Sequence, residues 1–323
     1  MAKPKKEKKP VPRVATDQVP LAGEVLDSSL TDVARTVDGS GYAFVRLNCT
    51  GKNITTIPEE ISTYIYLRYI DISDNHLVDI LPFTKLPHVL SLNAARNNIT
   101  DISYLADDAC LPSCAVLNLS NNSISKLGSI GLQRLAKLTL DGNPVTSFEG
   151  VEKLPETLCH LSLKDTNMST LSHLPALPSL SYLSLSYCPL NSLLDVSTLV
   201  GLEILDITGV KLPDITALKM LLMLPLLREL IVSPCDPEIS DEEFRQEVLV
   251  ILHRLKRLNG VDVTPEEKKR AKALKLQRKR EQEEQEAQRK REEEERAREA
   301  EERVAEEEGE EPEKEGPEDV GEA

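Results

Sequence analysis

Leu67-Arg68-Tyr69-Ile70-Asp71-Ile72-Ser73-Asp74-Asn75-His76-Leu77-Val78-Asp79-Ile80 sets apolar residues at positions 1, 4, 6, 11 and 14 of a short frame, with an asparagine at position 9. The frame starts again at Val89, Cys114, Leu135, Leu158, Leu180, Leu202 and Leu227. Its ninth position therefore falls at 75, 97, 122, 143, 166, 188, 210 and 235, in steps of 21 to 25 residues. A register held over eight copies is an internal repeat, and units of this period are stable only when stacked on one another.

Positions 4 and 6 lie two apart, so on a short strand both apolar side chains point to one face and position 5 to the other. This is the leucine-rich repeat frame, and it predicts an α/β fold: a solenoid with a parallel concave sheet, N- and C-terminal caps, and a long charged α-helix behind it. The ninth residue sits where the chain leaves the sheet, and an Asn amide there can donate to and accept from backbone groups that the turn leaves unpaired. Asn75, Asn97, Asn122 and Asn143 should form a strong ladder; Thr166, Cys188, Val210 and Cys235 should continue it more weakly. Phe44–Cys49 is expected to be an aberrant first strand, and Phe244–Leu252 a helix whose apolar face continues through Leu255, Leu258 and Val261 to close the far end.

Charge divides the rest of the chain. Residues 1–13 carry 6 basic and 1 acidic side chains, and residues 264–323 carry 15 basic and 23 acidic, within a total of −15. The expected organisation is a basic, largely irregular arm over 1–41, the capped solenoid over 42–263, a single charged helix over 264–308 and a disordered acidic tail over 309–323. Thr264, Pro265 and Glu267 form a helix start, and the Glu, Lys, Arg, Gln and Ala that follow favour helix and pair at i, i+4. Such a rod would be about 65 Å long. Its few apolar residues argue against a self-associating coiled coil. No apolar run follows the basic start and no window suits a membrane span, so an intracellular protein with six free thiols and unglycosylated sequons is expected.

No catalytic constellation stands out. The histidines occupy unrelated repeat positions, Cys110 and Cys114 have a three-residue gap unlike redox or zinc motifs, and Gly-rich phosphate loops are missing. The expectation is a protein without enzymatic activity, cofactor, metal or small-molecule substrate. What remains is the concave face, where the template places Tyr69, Asp71, Asn93, Asn118, Lys137, Thr139, His160, Lys164, Tyr182, Asp206 and Glu229, and to which Tyr187 is added as a scarce aromatic. Aromatic residues are scarce here and enriched at the centres of interfaces, which favours a protein partner; a solvated sheet would also use the Ser, Thr and Asn found between them. The basic arm, Lys3 to Lys9, would suit an acidic surface.

Thr63–Leu77, and the segment Phe244–Leu249 with its charged continuation, resemble the family of leucine-rich repeat-containing protein 23, axonemal proteins of cilia and flagella. The likeness spans roughly residues 42 to 300, and Thr63–Leu77 is its specific part. The resemblance implies a structural component of the radial spoke head region needed for flagellar motility. It would be a monomeric subunit of a large complex with spoke and other axonemal proteins, on the cytoplasmic side, touching neither nucleic acid nor membrane. The basic arm and Glu-rich tail depart from that family's pattern. Two other classes share a capped array of this kind: regulatory subunits of protein phosphatases, and acidic nuclear leucine-rich repeat proteins, whose tails are nearly pure Asp and Glu where Lys and Arg are interleaved here.

Overall fold

The computed structural model describes residues 20–21, 23–234 and 239–309, with side chains to residue 298. Two compact units result, one ending at Thr264 and one beginning at Pro265. Among the described residues of the first, twelve strands lie in one sheet in sequence order. They are β1 (Leu30–Arg35), β2 (Tyr42–Asn48), β3 (Tyr69–Asp71), β4 (Ser91–Asn93), β5 (Val116–Asn118), β6 (Lys137–Thr139), β7 (His160–Ser162), β8 (Tyr182–Ser184), β9 (Ile204–Ile207), β10 (Glu229–Val232), β11 (Arg257–Leu258) and β12 (Val261–Asp262). From β2 to β11 every pairing is parallel; β1 and β12 pair antiparallel and finish the two edges.

Register follows the frame. Ile70, Leu92, Leu117, Leu138, Leu161, Leu183, Leu205, Leu230 and Leu258 are paired in sequence across the sheet, and all are buried. With the buried position 6 residues Ile72, Leu119, Leu140, Leu163 and Leu185 they form the spine of the core. Each strand is only three or four residues long in the repeats, so stability comes from stacking this spine rather than from any one strand. Short 3-10 turns return the chain on the other side of the core, as at Leu81–Lys85, Leu194–Thr198 and Ile215–Met223.

The expected irregular arm over 1–41 is corrected. Helix α1 (Gly23–Ser29) and strand β1 lie inside that range, and Leu21, Leu26 and Leu30 are buried. The cause is the sheet edge: β2 would otherwise present unpaired backbone groups and an uncovered core, and β1 covers both by pairing Leu30 with Leu47 and Val33 with Phe44. Residues 1–19 lie outside the described residues, as do Cys235 and the stretch 310–323.

At the other end, α2 (Asp241–Ile251) starts with a reciprocal capping box between Ser240 and Glu243 and buries Phe244, Val248 and Leu249. Here too one expectation is corrected: the helical face does not run on to Val261. Asn259 and Gly260 both have positive φ, 52° and 75°, and form the two-residue loop of a tight hairpin, after which Val261 is 60% exposed. In the second unit, α3 (Pro265–Gly309) is one continuous helix whose exposed surface carries i, i+4 contacts such as Lys279 Nζ to Glu283 at 3.3 Å and Gln277 to Glu281 at 2.8 Å.

Candidate functional site

The ladder at position 9 comes first, because it sets how rigidly the sheet face is held. Asn97 is typical. Its Oδ1 accepts from the Leu77 N–H at 3.0 Å, and its Nδ2 donates to the carbonyls of Ile72 in the preceding repeat and of Ala94 and Ala95 in its own. Asn75, Asn122 and Asn143 repeat this pattern, each reaching one repeat back. Thr166 donates to Leu163 O in its own turn and meets Cys188 Sγ at 3.2 Å; Cys188 donates back to Leu163 O. Val210 offers no polar atom. Asn259 is not a rung of this ladder: it follows Leu258, the partner of Leu230, and its Oδ1 accepts from Val232 N–H at 2.8 Å, extending the β10–β11 pairing by one side-chain bond.

The residue before each ladder position takes a left-handed backbone: Asp74, Arg96, Asn121, Gly142, Asp165, Tyr187 and Gly209 have φ between 55° and 71°. Tyr187 is the outlier by residue type, since bulky side chains rarely adopt this region. It stands at the turn and not on a strand; its ring lies against Gly209, whose Cβ, if present, would meet Tyr187 Cδ1 at 2.5 Å. Lys164 Nζ sits 5.8 Å from the same ring. Both residues therefore belong to the rim of the face.

The other candidate residues fall into two rows. Register places Tyr69, Lys137, His160, Tyr182 and Glu229 in one row with Arg46, Ser91, Val116, Ile204 and Arg257, and Asp71, Asn93, Asn118, Thr139 and Asp206 in the next. The two rows differ in chemistry. In the second row polar atoms are spent on each other: Asp71 accepts from Ser73 Oγ and Asn93 Nδ2, while Asp206 accepts from Ser184, Ser186 and Thr208 hydroxyls. Burial disfavours ionisation of both carboxyls, but these bonds outweigh it and hold Asp71 and Asp206 below the usual carboxylate range.

The first row presents its side chains outward. Arg46 stacks its guanidinium 4.9 Å from the centre of the Tyr69 ring while pairing with Asp32. His160 and Tyr182 stack face to face, 4.0 Å apart and within 2° of parallel. Burial and the neighbouring Lys137 push the His160 imidazole down against the opposing pull of Asp141, so it is neutral at neutral pH. Glu229 closes the row against Arg257 at 3.1 Å. At about 4.8 Å per strand, Arg46 to Arg257 spans about 43 Å. Arg46, Val116 and Ile204 escaped the sequence search; counting every third template position, cap strand included, would have found them.

This face holds no relay for nucleophilic chemistry. Asp141 accepts directly from Ser162 Oγ at 2.5 Å, and among the described residues no hydrogen bond joins His160 to either. No cluster of three or more His, Cys, Asp or Glu side chains suited to a metal occurs among the described residues. Burial raises the Cys114 thiol to about 12, which makes it an inert packing group.

The chain is similar to human leucine-rich repeat-containing protein 23, 30% identical over 292 residues that cover 82% of each chain. The chain belongs to the leucine-rich repeat-containing protein 23 family. The member from Xenopus tropicalis is 31% identical over 291 residues, covering 82% of this chain and 81% of its own. No family model matches. Among solved structures, an internalin from Listeria monocytogenes shares the fold, with a TM-score of 0.53 and 22% identity over 66% of this chain and 59% of its own. Family and fold together make the chain a leucine-rich repeat protein whose sheet suits protein–protein contact. No described helix is long and apolar enough to cross a membrane.

Proposed function

We propose that the chain is a non-enzymatic scaffold of the ciliary or flagellar axoneme, associated with the radial spoke head, and that it grips a spoke protein along the outward row from Arg46 to Arg257. The observation that carries this reading is the division of labour on the concave face. The carboxylates of its polar floor, Asp71 and Asp206, are already bonded to neighbouring side chains, so they give shape and little binding energy. The first row offers two aromatic stacks, Arg46 on Tyr69 and His160 on Tyr182, with Ser91, Val116 and Lys137 between them. Aromatic and Arg anchors of this kind carry most of the energy in protein interfaces. Axonemal placement rests on the resemblance to the family.

The test is to tag the protein in a flagellated cell and extract with detergent and salt. Retention at a regular spacing along the demembranated axoneme is the expected result; a soluble or nuclear pool would reject the reading.

A further inference from the structure

A second surface lies off the sheet, where the last repeat meets the C-terminal cap. The segment Ile215–Met223 is the longest 3-10 turn described. Its Leu218 and Leu221 enter the core, but Met220, Leu222 and Met223 turn outward, 40%, 45% and 68% exposed, followed by Leu226 at 43%. Beside them runs a small apolar groove lined by Leu221, Leu222, Leu224, Leu227, Leu252 and Leu255 together with His253 and Arg254.

Charge at this ledge is reversed relative to the body. Between the terminal arms, residues 14–263 carry a net charge of −12. Around the groove, Arg228, Arg254 and Lys256 are exposed and make no ion pair among the described residues. Lys256 N–H donates to the Arg228 carbonyl, which places those two cations on neighbouring strand entrances. Two carboxylates stand near them, Asp214, which accepts from Thr216 and Ala217, and Glu203, whose carbonyl accepts from the Arg228 N–H; against Lys219, Arg228, Arg254 and Lys256 they leave the ledge cationic.

We propose that this ledge docks an acidic amphipathic helix of a partner protein. Apolar side chains spaced i, i+3, i+4 and i+7 on such a helix would lie on Met220, Met223 and the groove, with its carboxylates over Arg228, Arg254 and Lys256. Thioether side chains adapt to such a face without a fixed fit. Charge favours a helix over an anionic bilayer, because a flat membrane would also meet the acidic body whereas a helix covers only the cationic ledge. The site is independent of the axonemal reading and of the sheet face.

The test uses the full chain and a fluorescent peptide with Leu at those spacings and Glu elsewhere, its counterpart with Lys for Glu, and phosphatidylserine-containing vesicles. The account expects saturable binding of the Glu peptide, at least about tenfold weaker binding of the Lys peptide, and no vesicle binding. Met223→Glu, and Arg254→Glu with Lys256→Glu, should each weaken the Glu peptide about tenfold or more with unchanged circular dichroism, while Val78→Glu leaves it unaltered. Equal binding of the Lys peptide, preference for the vesicles, no saturable binding of the Glu peptide, or full binding by a folded Met223→Glu protein would overturn the proposal.

Discussion

The two halves of the array share one shape and are fastened differently. From Asn75 to Asn143 each repeat is tied to the one before it by a buried amide that satisfies an N–H and a carbonyl one repeat back. From Thr166 to Val210 the inner tie shrinks to a hydroxyl, a thiol and an isopropyl group. The strands nevertheless keep the same register throughout. Register is thus set by the Leu spine and the backbone pairing, and the ladder sets how much it costs to pull neighbouring repeats apart. Because repeat stability is close to a sum of unit and neighbour terms, the N-terminal half should be the last to unfold.

Removing one rung should have the largest effect. Asn97→Ala leaves the Leu77 N–H without its acceptor inside the core and removes one of the two donors held by each of the Ile72, Ala94 and Ala95 carbonyls, and should cost about 2 to 4 kcal/mol in denaturant unfolding. Thr166→Ala, which loses a single hydroxyl, should cost about 1 kcal/mol; equal losses at the two sites would break the comparison.

The left-handed position sharpens it further. Gly209→Ala puts a Cβ at φ +71° and against the Tyr187 ring, with an expected cost of about 1 to 2 kcal/mol. Adding Tyr187→Asn should remove the clash but not the backbone cost, so the double variant recovers only part of the loss in melting temperature. A rung can also be restored. Thr166→Asn should stabilise the C-terminal half by about 1 kcal/mol, read as slower amide exchange in the repeats that flank it.

The smallest effect is electrostatic. Folding holds the His160 imidazole below its ordinary value of 6.5, so the unfolded chain takes up its proton first as the pH falls. Stability from this residue is therefore intact above about pH 6.5 and declines as pH drops toward the folded value. His160→Phe keeps a ring on Tyr182 and should flatten that part of the pH profile of the melting temperature; an unchanged slope would show that the group is not what titrates.

The repeat frame was legible because position 9 and the alternating pair at 4 and 6 recur by residue type. The rows of the concave face followed from the same count. What stayed hidden has local physical reasons. The first strand pair depends on a core edge that must be covered, and nothing in Gly23–Arg35 repeats the frame. The closing hairpin lies beyond an inserted helix, where counting the frame fails, although Asn259-Gly260 is itself a strong hairpin signal. Tyr187 looked like a face residue by composition, and the backbone puts it at the rim. Arg46 lies on a cap strand outside the eight copies, so its place over Tyr69 emerged only from register.

The most direct test of the docking face is a photo-crosslinking amino acid placed at Tyr182, on the outward row, and at Val78, exposed off the sheet, in protein incorporated into demembranated axonemes. The account predicts a discrete cross-link to one spoke protein from position 182 and none to that protein from position 78. Cross-linking from 78 with silence at 182 would contradict it.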